Sequence, residues 1–185
     1  YSGISGYSGY SGISGYSGAV GAGGSIGFYG QFQDNTTQTV SAVNTPQAFY
    51  YALTDSANGV TLANNGAGKP SRITVSNTGV YNLEFSTQFD YTGGGGSGQN
   101  VWLWFAINGT AIAGSGTELT ISASSPYVVA AWNFLTPLNA GDYIEIIWMT
   151  NNLNIQATTI AASSPVPLIP SIIATLSQVA YSTSG

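Results

Sequence analysis

The stretch VYNLEFSTQF, residues 80–89, places Tyr81, Leu83, Phe85 and Phe89 on one face and Asn82, Glu84, Ser86 and Gln88 on the other. Alternation with period two is the signature of a half-buried β-strand. The same rhythm continues in both directions. NVWLWFAINGT (100–110) sets Val101, Leu103, Phe105 and Ile107 against Trp102, Trp104 and Ala106. It ends in Asn108-Gly109, the strongest short hairpin signal. YVVAAWNFLTPL (127–138) and DYIEIIWMTN (142–151) read as two further strands, joined through NAGD with Gly141 and Asp142 as turn residues. PSIIATLSQVAY (170–181) closes the series, with Pro170 suited to the start of a strand. TPQAFYYALTD (45–55) is ambiguous, and its aromatic content favours a strand. TDSANG, NNGAGKPS, YTGGGGSGQN and ASSPVPLIP read as loops between these runs. Eight to ten short strands with regular turn signals predict an all-β fold, a β-sandwich of jelly-roll or related type.

Composition narrows the function classes. Of 185 residues only 5% are charged, the net charge is −5, and Lys69 and Arg72 are the only basic side chains. Phosphate neutralisation takes several cations, so nucleic acid is excluded as a partner, and docking to anionic membranes is disfavoured. No apolar run reaches the roughly 20 residues that span a bilayer, so no membrane insertion is expected. There is no cysteine to read a redox compartment from. Tyr1 in place of Met is expected of a processed chain or of a piece of a longer one, which leaves export unread.

Ahead of the strands, glycine recurs at every third position: Gly3, Gly6, Gly9, Gly12, Gly15, Gly18, Gly21, Gly24, Gly27 and Gly30. A collagen triple helix demands this period, because only a hydrogen atom fits its crowded axis. The stretch contains no proline, which would otherwise lower the entropy cost of ordering it. A disordered Gly/Ser/Tyr spacer and another glycine-rich extended bundle are the competing readings. If ordered as a triple helix, residues 1–30 make a stem of about 90 Å, and residues 31–185 form the β head.

A collagen-like stem followed by an all-β head resembles the complement and tumour-necrosis-factor superfamily of trimeric jelly rolls. ITVSNTGVYNLEF is similar to that family's strand entry, at Gly79 and Tyr81. AINGT is similar to its hairpin at Asn108 and Gly109, and FLTPLNAGDYIEI to its Leu-x-x-Gly-Asp pattern at Leu138, Gly141 and Asp142. The family's final aromatic-glycine pair is replaced here by Ile173-Ala174. The Tyr-Ser-Gly stem also resembles predicted fibre or virion structural proteins of bacterial viruses, those of cyanobacteria in particular. These resemblances imply a homotrimer in which the heads gather three stems, on a virion or at a cell surface outside the cell.

Catalysis has little to stand on. Without His or Cys, the usual general base and nucleophile pairings are missing. The acids Asp34, Asp55, Glu84, Asp90, Glu118, Asp142 and Glu145 are scattered. Asp142 and Glu145 point to opposite faces of a strand, which makes Asp142 a turn residue and Glu145 an exposed one. Asp90 and Asp142 are weak candidates for calcium; no other cofactor is expected. YTGGGGSG lacks the Lys-Ser/Thr ending of a phosphate loop. Asn35 and Asn108 fit the N-glycosylation triplet, which matters only for a chain made on a eukaryotic export route.

Trp102 and Trp104 give one strand two apolar faces, one for the sandwich and one for something else. A neighbouring subunit is the simplest cover, and a sugar-stacking platform is the rival. Trp132, Trp148, Tyr81 and Phe85 are assigned to the core or to a trimer interface. The sequence thus predicts a structural fibre or virion-appendage subunit that associates with itself. The alternative is an adhesin whose head binds a cell-surface glycan or protein. The small residues of TDSANGVTLANNGAGK and YTGGGGSGQN favour the first, and a surface of few charges suits close packing against copies.

Overall fold

A computed structural model describes residues 27–95, 98–123 and 126–181. Among them the chain is all β, without a helix. The first strands are β1 (Tyr29–Asp34), β2 (Gln38–Thr39), β3 (Gln47–Ala48), β4 (Leu53–Asn58) and β5 (Val60–Asn64). β6 (Pro70–Val75), β7 (Gly79–Tyr91), β8 (Gln99–Ile107), β9 (Thr110–Ala111) and β10 (Thr117–Ile121) follow. The last are β11 (Tyr127–Leu138), β12 (Tyr143–Thr150), β13 (Ile155–Ala157) and β14 (Ile172–Ala180).

They form two antiparallel sheets packed in a sandwich. The first runs β2-β13-β7-β14-β1-β4, with β11 on the other side of β7; the second runs β10-β8-β12-β6-β5, with β3 against β12 and β9 against β8. The alternating faces meet as the pattern demands. Tyr81, Leu83, Phe85 and Phe89 of β7 are buried against Val101, Leu103 and Phe105 of β8. Phe85 meets Phe105 edge-on at 5.7 Å, and Trp148 stacks on Phe49 at 5.4 Å. Such aromatic pairs add about 1 kcal/mol each beyond the area they bury.

Asn108 (φ 50°) and Gly109 (φ 80°) close the β8–β9 hairpin with two left-handed residues, the conformation its tight turn requires. Three expectations need correction. TDSANG is not a loop: it supplies most of β4, which pairs with β1 through Gln31↔Ser56 and Gly30↔Ala57. TPQAFYYALTD is two strands with a break, in which Phe49 N–H donates to Ile146 O at 2.9 Å and Tyr51 N–H to Pro70 O at 3.0 Å. The β head begins before residue 31. β1 starts at Tyr29, and Gly30 is buried inside it, where a Cβ would lie 2.5 Å from Phe32 Cζ. The last glycine of the repeat therefore serves head packing rather than a triple-helix axis. Gly3 to Gly24 lie outside the described residues, and Gly27 runs beside Gln178 of β14.

Candidate interaction surfaces

Strand alternation sends two groups of apolar side chains outward. The first is on β11, an edge strand whose one partner among the described residues is β7. Its inner row carries Trp132 and Phe134; Trp132 packs edge-on against Phe85 at 4.5 Å, and Phe134 lies 5.2 Å from Phe105. Both remain half-buried, because β10, the edge of the opposite sheet, leaves a seam here. Trp132 and Phe134 line it with Gly114–Thr117, enclosing about 430 Å³. The outer row of the same strand carries Tyr127, Val129 and Leu135, each nearly 60% exposed.

The second group is on the outer face of the second sheet. Trp102 stands between Glu118 of β10 and Met149 of β12 in the ladder, and Trp104 faces Ile147. With Ala111, Ile112 and Thr117 they line an apolar cleft of about 480 Å³. Glu118 fixes one wall: Trp102 Nε1 donates to its Oε2 at 3.0 Å, and Asn100 Nδ2 to its Oε1 at 2.5 Å. Trp102 and Trp104 thus share a face, as alternation requires, but the sequence does not reveal the Met149, Ile112 and Glu118 that complete the cleft. Trp148, Tyr81 and Phe85 are core residues. The Tyr81 hydroxyl donates to Asn77 O at 2.7 Å, and burial raises its pKa.

The carboxylates hold turns and strands. Asn108 Nδ2 donates to Asp142 Oδ1 at 2.7 Å, and Asn139 N–H to its Oδ2 at 2.8 Å. Tyr143 N–H in turn donates to Asn108 Oδ1 at 3.1 Å, so the β8–β9 and β11–β12 turns are tied together. These bonds, Asn108's first, hold the Asp142 carboxyl below its ordinary pKa. Both its oxygens are occupied, and both polar atoms of the Asn108 amide are too. Asp90 lies at the far end of the β7–β11 ladder, opposite Tyr127. Burial raises its pKa, offset in part by a hydrogen bond from Gln156. Among the described residues no cluster of three or more His, Cys, Asp or Glu side chains could hold a metal ion.

Glu145 is not the exposed residue expected. It is 7% exposed, accepts a hydrogen bond from Ser71 Oγ at 2.5 Å, and has Arg72 Nε 3.9 Å away. Its charge adds to burial in raising the pKa of Tyr51, whose hydroxyl is buried without a hydrogen-bond partner. The segment 47–51 produces this arrangement. It pairs with β12 at Ile147 and Trp148 and then bonds to Pro70, closing over the gap where β12 leaves β6.

No protein-family model matches the chain, and no curated protein matches it either.

Proposed function

We propose that this chain is a subunit of a homotrimeric structural appendage, a fibre or virion component outside the cell, with a jelly-roll head at the end of a collagen-like stem. The observation that carries the reading is the β11 edge. A long strand with one edge unpaired among the described residues, three exposed apolar side chains outward and two half-buried aromatic rings at an open seam is a costly surface to leave in water. Covering Tyr127, Val129 and Leu135 contributes about 1 kcal/mol each, before the seam is counted. Three supports join it. The central strands alternate between sheets, β1-β14-β7-β11 facing β6-β12-β8-β10, an order suited to a jelly roll. The Gly-X-Y repeat feeds directly into β1, within the sheet that carries β11. A self-associating head would hold three stem ends together at high effective concentration, which a proline-free triple helix needs.

The mechanism is assembly. Heads bury the β11 surface against one another, and the stem winds from that nucleus and spaces the head from its anchor. Light scattering on the full chain tests this: the expected mass is three times that of one chain. Val129→Asp with Leu135→Asp, both at exposed positions, is expected to give folded monomers. A monomeric full chain, or a trimer indifferent to these substitutions, overturns the proposal. Circular dichroism melting of Gly15→Ala separates the stem from the head, since an axial glycine there means loss of the stem transition alone.

A further inference from the structure

The segment between β13 and β14 is an apolar hairpin that touches little of its own molecule. Ile160 and Ile169 exchange two backbone hydrogen bonds at 2.9 Å, and Ser163 and Val166 exchange two more at 2.9 and 2.7 Å. The loop is therefore a built element, yet every residue from 161 to 168 is exposed, Val166 and Leu168 by 50% and 40%. A two-stranded hairpin is marginal in water unless something packs on it. An ordered apolar projection of this kind marks a contact surface.

We infer that the hairpin of one copy of this chain seats in the Trp102–Trp104 cleft of another. The chemistry of the two surfaces matches. Flat indole faces suit the rings of Pro165 and Pro167 and the side chain of Val166, carried here on a hydrogen-bonded turn. Pro165 and Pro167 bring no N–H groups that would have to be stripped of water. Residues 158–171 carry no charge, and Glu118, the cleft's one carboxylate, is already hydrogen-bonded by Asn100 and Trp102. The desolvation cost of burying the pair is therefore confined to one carboxylate at the cleft wall, whose two hydrogen bonds are kept. The cleft, about 480 Å³, is open to the surface and offers a projecting hairpin an apolar seat rather than an enclosed pocket.

A second copy, rather than the same molecule, supplies the hairpin. β13 and β14, which carry it, belong to the first sheet, whereas the cleft is on the far face of the second. The contact joins two different patches, so it is head-to-tail and propagates unless a ring closes. It uses neither Tyr127, Val129 nor Leu135 of the β11 edge, and it stands whether the repeating unit is one chain or three.

Sedimentation velocity on the full chain across a wide concentration range tests the contact. Val166→Asp with Leu168→Asp removes the hairpin's apolar tip at exposed positions. Ala111→Arg blocks the cleft from its exposed rim and leaves both indoles in place; circular dichroism confirms the fold of each. The wild type is expected to grow beyond its repeating unit as concentration rises. Each variant should shift that growth to at least about tenfold higher concentration. An equal mixture of the two variants should regain association, since one supplies intact clefts and the other intact hairpins. No growth in the wild type, growth unaffected in either variant, or no recovery on mixing would overturn the inference. So would a soluble oligosaccharide that binds the wild type and the hairpin variant alike but not Ala111→Arg, with mass unchanged throughout.

Discussion

The buried carboxylate of Glu145 offers a sharp test of what holds the second sheet together where β12 and β6 part. Two partners compete for the credit. Arg72 Nε lies 3.9 Å from Oε1, and its side chain is 34% exposed. At an effective dielectric of about 20 the bare attraction is about 4 kcal/mol, but a solvated partner at that distance delivers about 1 kcal/mol or less. Arg72 Nε is itself buried but makes no hydrogen bond, and the guanidinium lies over the Tyr143 ring at 4.4 Å. Ser71 is wholly buried and its hydroxyl donates to the same oxygen at 2.5 Å. A hydrogen bond to a charged acceptor, lost where no water replaces it, costs about 2–3 kcal/mol. Ser71→Ala is therefore expected to destabilise by about 2–3 kcal/mol. Glu145→Gln keeps an acceptor for Ser71 and removes a buried charge, so it should stay within about 1 kcal/mol of the wild type. Urea unfolding of both variants, followed by Trp fluorescence, gives the comparison. If Glu145→Gln costs as much as Ser71→Ala, charge pairing with Arg72 holds the site and the hydrogen-bond account is refuted.

Tyr51→Phe deletes a buried hydroxyl without a partner, and a gain of about 1 kcal/mol in the same urea assay is expected; a loss means the hydroxyl is satisfied. The Asp142 carboxyl is held below its ordinary pKa, so its share of stability is present above that ordinary value and drains away as pH falls through the lowered one. Asn108→Ala should shrink this acid-sensitive share, which thermal melts at stepped pH would show as a flatter slope. Gly59 has φ +67°, and a Cβ there would lie 2.3 Å from Phe28 Cδ1. Gly59→Ala should accordingly cost at least about 1–2 kcal/mol, read as a lower urea midpoint.

The long strands were legible because burial and alternation coincide in them. β7, β8, β11, β12 and β14 each have an inward row of Leu, Ile, Val or aromatic residues that no other structure would bury. β4 was not legible, because Leu53–Asn58 is exposed on both faces and shows no alternation. Pairing with β1 holds it, along with Asp55, whose carboxylate accepts from Gln31 and Gln33 at 2.9 and 2.6 Å. Glu145 was misread for a related reason. Its strand position points outward, and only the distant segment 47–51 and Ser71 turn that position into an interior. Gly30 satisfied two demands at once, the triplet rhythm and close packing on Phe32, and the sequence alone does not separate them. At the candidate surfaces, the strand rhythm alone makes Trp102, Trp104 and Trp132 stand out. Their surroundings do not, since the cleft and the seam are built by strands that only the fold brings together.

The outward apolar residues are not the leftovers of a core too small to take them. Phe32, Leu83, Phe89, Leu103, Phe105, Ile144, Ile146 and Trp148 are all completely buried, so the interior is already filled. What places Trp102 and Trp104 outside is register: Phe105 pairs with Ile146, and that fixes Trp104 opposite Ile147 on the other face. A slip of one residue would exchange the two faces and put the indoles in the core, at the cost of every inward contact of β8. The same holds on β11, where Phe134↔Leu83 and Trp132↔Phe85 commit Leu135 and Val129 to the outside. The pairing that closes the sandwich therefore also determines which apolar surfaces it displays. With only nine charged side chains in 185 residues, little electrostatic repulsion opposes their meeting those of another copy. In β8 and β11 one face closes the sandwich and the other carries the apolar residues on which the proposed assembly rests.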